Sequence, residues 1–255
     1  MTLVLTELNS FGIAMAADSA VTFINPRSGN VYAEPNRAIK LQVIPYLNAG
    51  ISCWGMGEID GTATDIWVQR YIDSHNTLTS LSNFTEQLAQ TLNNLLPPNQ
   101  TGEFRLGFHV AGYENFNGVP TPSFYHVHDG ISTTLEQRGI TINPKQVNAN
   151  HDMPPEAFQL INRKGIGWLT RNGDYKLYAE IFGLLEAFFH TIAVKHGIII
   201  PNSQNIQERA EYLVFQIKTV SEIYRLSNLI PGIGGAVYHL AINPGGITSY
   251  GTEYR

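Results

Sequence analysis

The sequence predicts an α+β fold of four layers, two antiparallel sheets stacked face to face with a helix pair outside each. Three observations lead there. Segments of strand and helix character come in blocks, in the order strands, two helices, strands, two helices, strands. Strands of the first quarter carry apolar residues on both faces, Leu3 and Leu5 on one and Val4 and Leu8 on the other, so both faces need cover. No repeat, low-complexity tract or linker divides the 255 residues, so a single domain over residues 1–255 is expected, long enough to bury a sizeable core.

Residues 1–18 come first. Two short apolar runs flank Asn9-Ser10, a turn-type pair, which predicts a β-hairpin. With that pair as the loop, Leu8 faces Phe11, Leu3 faces Ala16 and Thr2 faces Ala17, and Asp18 arrives beside the start of the chain. Residues 20–32, with Asn25-Pro26-Arg27-Ser28-Gly29, predict a second, looser excursion. Residues 38–44 alternate as a strand, Pro45 and Asn48 mark a turn, and residues 50–54 return as a strand that ends in Gly55-Met56-Gly57.

Two helices follow. Residues 59–72 place Ile66, Trp67 and Tyr71 at helical spacing with Asp60 as N-cap. Residues 78–96 do the same with Leu81, Leu88, Leu92 and Leu96, between Ser80 as N-cap and Pro97-Pro98 as stop. Strands resume at residues 104–112 and 123–128. From Ile131 to Trp168 the Asn, Pro and polar content predicts strand fragments, loop and a short helix from Pro155. Residues 174–196 form a long helix with the apolar stripe Ile181, Leu184, Leu185, Phe188 and Ile192. Residues 205–226 form another, turning Ala210, Leu213, Ile217, Val220 and Tyr224 inward. Residues 236–242 and 246–250 close the fold as a strand pair around Asn243-Pro244-Gly245.

Composition narrows the function. Apolar residues at 43% and charged residues at 15% describe a globular chain with an ordinary core. A net charge of −5 with no basic cluster argues against nucleic acid as a partner. No apolar run of membrane-spanning length and no signal-type N-terminus are evident, so no membrane partner is expected. Cys53 is the sole cysteine, which forbids an internal disulfide and fits a cytoplasmic location, where the sequons at Asn83 and Asn99 carry no role. His126-Val127-His128 has metal-ligand spacing on a strand but no evident third ligand, so no metal is expected. Cys53 sits in a core strand, and Gly232-Ile233-Gly234-Gly235 lacks the Lys-Ser/Thr ending of a phosphate loop. The aromatic series Tyr178, Phe182, Phe188 and Phe189 belongs to core or subunit-interface packing, and no cofactor is expected.

Thr2 is the residue with chemistry to offer. Threonine is small enough at position 2 for Met1 to be trimmed, which would leave a hydroxyl and an α-amine on one residue with Asp18 near both. An α-amine has a pKa of about 7.7 to 8.0, so part of it is a free base near neutral pH.

Several pieces then fall in a telling order. They are Thr2 before apolar strand residues, Ala16-Ala17-Asp18-Ser19, Lys40-Leu41, and Trp54-Gly55-Met56-Gly57 before a helix. The strand pair through Phe108-His109-Val110-Ala111-Gly112-Tyr113 and Phe124-Tyr125-His126-Val127 follows, then Gly234-Gly235. Together they resemble the proteasome-type family of N-terminal nucleophile hydrolases, most of all the bacterial HslV-like and Anbu-like subunits. The resemblance implies a threonine-type peptidase in which the Thr2 hydroxyl attacks an amide carbonyl, forms an ester and is released by water. It implies that Lys40 helps the amine accept the hydroxyl proton and that Asp18 positions the Lys40 ammonium. The Gly55 N–H would serve the oxyanion, and Asn172 would supply a polar contact where the family has serine. It also implies a peptide or protein substrate and a homo-oligomer, ring-like or open-helical, without naming an unfoldase partner. The chain departs from the family at Ala20, where arginine is usual, and near Ile230 and Ile233, where a late Asp and Ser are usual; Asp174 is a further candidate support. Two alternatives stay open: a catalytically silent proteasome-like subunit with a structural or interaction role, and an amidase acting on a small molecule.

Overall fold

A computed structural model of the chain describes residues 2–25, 27–96, 106–129, 147–228, 230 and 232–253. The expected Pro97-Pro98 helix stop, the strand start at Phe104-Arg105 and the segment 131–146 lie outside the described residues, as does Met1. Two compact units make up the chain, Met1–Leu41 with Gly167–Arg255, and Gln42–Ile166. In chain order the first strands are β1 (Leu3–Asn9), β2 (Gly12–Asp18), β3 (Val21–Ile24), β4 (Val31–Glu34), β5 (Leu41–Ile44), β6 (Ala49–Trp54), β7 (Glu58–Ile59) and β8 (Thr62–Ala63). Helices α1 (Thr64–Ser74) and α2 (Leu81–Leu95) lead to β9 (Gly107–Phe116), β10 (Val119–His128) and β11 (Asn148–Met153). Then come α3 (Pro155–Asn162), β12 (Trp168–Gly173), α4 (Lys176–His196), α5 (Ile206–Leu226), β13 (Val237–Asn243) and β14 (Gly246–Glu253).

The first unit is built on a five-stranded sheet in the order β12-β1-β2-β13-β14, every neighbouring pair antiparallel. Its opening hairpin is present, but the pairing is shifted by two residues from the expected one. Val4 faces Ala17, Leu5 faces Ala16 and Asn9 faces Gly12, so the loop is Ser10-Phe11 and not Asn9-Ser10. Asn9 keeps its place in the ladder because its side-chain oxygen accepts the Phe11 N–H at 2.8 Å, and Gly12 takes a φ of 140° that closes the turn. An even shift leaves each side chain on its expected face. Leu3, Leu5, Ala14 and Ala16 therefore line a core with Tyr178, Phe182, Leu213, Ile217 and Val220, while Val4, Leu8 and Ile13 on the other face are fully buried as well.

The two long helices of this unit behave differently. Helix α5 is capped by Asn205, whose side chain accepts the Glu208 N–H at 2.9 Å, and all five expected inward residues are buried. It lies on β2 and β13, and α4 packs against α5. In α4 the buried residues are Tyr178 and Phe182, whereas Leu184 and Phe188 of the expected stripe are 75% and 57% exposed. The correction has a simple cause: α4 is apolar around most of its circumference, so periodicity does not single out the face that packs. By length and composition alone α4 would suffice to cross a membrane. That corrects the expectation that no segment is long and apolar enough, since Glu180 and Glu186 are the only charged residues between Leu177 and Val194.

The second unit has a five-stranded sheet in the order β11-β10-β9-β6-β5. One of its faces packs Ile51, Phe108, Val110 and Val127 against Val68 and Ile72 of α1 and Phe84, Leu88 and Leu92 of α2. Ser80 caps α2 as expected, accepting the Asn83 N–H at 3.2 Å. Asp60 does not cap α1. Asp60-Gly61, at φ of 48° and 67°, forms the loop between β7 and β8, and the helix begins only at Thr64. An Asp-Gly pair matches the twist of a tight hairpin so well that turn chemistry overrides capping. Asn117-Gly118 does the same between β9 and β10, with φ of 54° and 82°, and extends β10 back to Val119 from its expected start at Ser123. The short helix expected from Pro155 is α3.

Candidate active site

The end of the first hairpin brings three of the expected residues together. Asp18 closes β2, and its carboxylate is fully buried. One oxygen accepts the Leu3 N–H at 2.9 Å and the Lys40 ammonium at 3.1 Å; the other accepts the N–H groups of Ala20 and Gly234, each at 3.2 Å. A buried carboxylate needs such a shell, and three main-chain donors hold it in one orientation.

Lys40 reaches this shell from outside the sheet. The strand expected over residues 38–44 starts only at Leu41, because the Arg37 and Ala38 N–H groups both donate to the Ser19 carbonyl at 3.1 Å and hold residues 37–38 off the ladder. Lys40 then projects back so that Nζ meets three acceptors: Thr2 Oγ1 at 2.8 Å, Asp18 Oδ1 and the Ala20 carbonyl. An ammonium has three hydrogens, so every one of them has an acceptor. Thr2 and Lys40 are 7% and 6% exposed, so this contact is shielded from water and electrostatically strong.

Since Lys40 donates to the Thr2 oxygen, that oxygen is an acceptor and its own proton is left to point elsewhere. A cation in this place stabilises negative charge growing on Oγ. Ala20 brings no guanidinium, yet both its N–H and its carbonyl belong to the cluster. Ile233 is fully buried among apolar residues and Ile230 is 37% exposed, so neither puts a polar side chain here, while the neighbouring Gly234 contributes a main-chain donor. A cavity of about 380 Å³ adjoins this wall, lined by Ala20, Asn36, Ser221, Arg225 and the Gly234-Gly235 backbone.

On the opposite side β12 pairs with β1, setting Leu3 against Gly173 and Val4 against Asn172. Directly opposed residues share a sheet face, so Asn172 stands on the face of Val4 and hence on that of Thr2. Asp174 was expected as a support, but two details of this edge were not read from residue types. Gly173 adopts a φ of 88°, and the Asp174 N–H donates to the Thr2 carbonyl at 2.6 Å. The run Asn172-Gly173-Asp174, three turn-type residues ahead of a helix, was the available signal.

Gly55 belongs to the second unit, where it follows β6 at a φ of 95°. The histidines with metal-like spacing are also there. The His126 and His128 rings are 4.2 Å apart, and His128 is hydrogen-bonded to Asn150 at 2.8 Å. Burial pushes the His126 imidazole down to about 4, which keeps the ring neutral. Among the described residues no group of three His, Cys, Asp or Glu side chains is arranged to hold a metal ion.

No family model and no curated protein matches the sequence. In fold, the whole chain is similar to a solved structure of an Anbu (Gly-1) mutant from Hyphomicrobium sp. strain MC1. Identity is 11% and the TM-score 0.53, with 100% of this chain and 87% of that chain covered. Identity that low carries a likeness of fold alone: the chain is similar in fold to Anbu, one of the two kinds of protein that the sequence motifs resemble.

Proposed function

We propose that the chain is a threonine-type N-terminal nucleophile peptidase whose nucleophile is Thr2, exposed by removal of Met1. The observation that supports this most is the Lys40 ammonium, held by Asp18 and donating to Thr2 Oγ1 at 2.8 Å. In the proposed reaction the Thr2 hydroxyl oxygen bonds to the carbonyl carbon of a peptide amide while its proton passes to the α-amine. Lys40 stabilises the oxygen as that proton leaves and disfavours protonation of the amine beforehand. The protonated amine then gives its proton to the departing amine of the substrate, leaving an ester on Thr2. A water molecule, activated by the same amine, hydrolyses the ester and restores the hydroxyl.

The Gly55 N–H is proposed as donor to the oxyanion, and Asn172 as a polar contact near Thr2. The substrate is a peptide or protein, and the location is cytoplasmic. A ring-like or open-helical homo-oligomer is part of the proposal, supported by the exposed apolar face of α4 at Leu184, Phe188 and Val194. Leu184→Glu, at a position 75% exposed, is expected to leave folding intact and to shift the mass in solution toward the monomer, as light scattering would show.

A second reading, a catalytically silent proteasome-like subunit, draws on Ala20, Ile230 and Ile233, which offer no polar side chain. Intact-mass measurement before and after incubation with a β-lactone or peptide epoxyketone separates the two. Peptidase chemistry predicts loss of Met1 and a single adduct that Thr2→Ala abolishes. Retention of Met1 on every molecule with no adduct would overturn it in favour of the silent subunit.

A further inference from the structure

We propose that Tyr224 and Asp174 are positioning residues for Thr2, forming a hydrogen-bonded strut from helix α5 to the main chain of the nucleophile. The catalytic consequence rests on Thr2 being the nucleophile; the strut itself does not.

Once Met1 is gone, Thr2 has no residue before it to hold it in place. Its position depends on the peptide unit that joins it to Leu3. That unit is gripped on both edges. The Leu3 N–H donates to Asp18 at 2.9 Å, and the Thr2 carbonyl accepts the Asp174 N–H at 2.6 Å. With the peptide plane fixed, only rotation about the Thr2 Cα–C bond and χ1 remain, and the Lys40 contact to Oγ1 restrains both.

The second grip depends on an unusual approach. At Gly173, φ is 88° and an added Cβ would lie 1.9 Å from the Thr2 carbonyl oxygen, so only glycine lets the chain pass. Beyond it, Asp174 precedes α4 and would be a loose corner but for its side chain. The Asp174 carboxylate accepts the Tyr224 hydroxyl at 2.6 Å. Tyr224 is 7% exposed, in the last turn of α5 and within the helix–sheet core, so it moves only with that core. Burial, and next the hydrogen bond and charge of Asp174, raise the Tyr224 phenol well above its ordinary range, so it remains the donor in this pair at working pH. The support absent at Ile230 and Ile233 is thereby supplied from a different element, and through the carbonyl of Thr2.

Tyr224→Phe keeps the ring in the core and removes only the hydroxyl. It is expected to lower the maximal rate of β-lactone acylation about tenfold with the half-saturating concentration unchanged, because the nucleophile is misplaced and not the ligand. The pH midpoint of acylation, measured from about pH 6 to 9, stays where it is in wild type, since no charge is removed. Asp174→Ala should lower the rate by a similar factor, and Asp174→Asn should recover most of the loss, because an amide oxygen can still accept from Tyr224. Hydrogen exchange at the Asp174 amide is read in parallel and should quicken about tenfold in Tyr224→Phe. Unchanged exchange in that variant overturns the strut, and a displaced pH midpoint in Asp174→Asn overturns a positioning role in favour of a charge effect. If wild type is not acylated at all, the nucleophile assignment fails while the exchange measurement still decides the strut.

Discussion

Around Asp18 both carboxylate oxygens have two donors each, and all three hydrogens of Lys40 have acceptors. The sheet of the other unit also carries a polar row in register across four strands, buried at Ser52 and His109 and part-buried at His126 and Asn150. Among the described residues, Ser52 Oγ, His126 Nε2 and the nearby Trp54 Nε1 are buried with no hydrogen-bond partner. Asp152 faces His126 Nδ1 only at 3.7 Å, beyond hydrogen-bonding distance. The difference follows from charge. A buried ion pair is tolerable only when its shell is complete, whereas an imidazole escapes the larger penalty by staying neutral. The first cluster is thus fully satisfied; the second carries a standing cost of about 1–3 kcal/mol for each orphaned group.

The largest expected effect that would break this contrast is at Asp18. Asp18→Ala leaves the Lys40 ammonium buried without its counter-charge and should cost about 3–5 kcal/mol of stability in denaturant unfolding. A loss below about 1 kcal/mol would show that the shell around Asp18 matters no more than the histidine row.

Acid titration sharpens the same contrast from the other side. The His126 pKa falls from 6.5 to about 4 on folding, so between those values the unfolded chain binds a proton that the folded chain does not. Its contribution is constant above pH 6.5, is lost as pH falls toward 4, and amounts to about 3 kcal/mol over that window. Burial raises the Asp152 carboxyl above its usual value, which opposes this slope at the acid end. His126→Leu should flatten the slope between pH 6.5 and 5 and add about 1 kcal/mol at neutral pH by removing an orphaned nitrogen. An unchanged slope in that variant would assign the acid sensitivity elsewhere.

Much of the scaffold was legible because local rules and packing agreed. Helix α5 has a capping Asn205, a consistent apolar stripe and a sheet to lie on, and its expected inward face is the buried one. Helix α2 is similar, starting at Ser80. Legibility failed where two local rules competed, as at Asp60, whose carboxylate suggests a cap but whose Gly61 neighbour makes a turn. It failed again where the pattern was too apolar to choose a face, as in α4. Strand β12 escaped because Trp168 to Arg171 is a short run ending in the turn-type pair Asn172-Gly173, yet the main chain of β1 holds all six residues in its ladder. In the candidate site, Thr2, Asp18, Lys40 and Asp174 were visible as residue types, while the contacts of Gly173, Asp174 and Tyr224 come from main-chain geometry and from a hydrogen bond between residues 50 positions apart.

The sequence by itself determined that a hairpin opens the chain, that an acid follows close to Thr2, and that a lysine comes soon after. These are matters of turn chemistry, alternation and residue type, which act over a few neighbours. Tertiary structure alone decided the backward reach of Lys40 to Thr2 and the grip of Asp174 on the Thr2 carbonyl. Each of these depends on which distant main-chain groups must find partners once buried, and a linear pattern does not encode that demand.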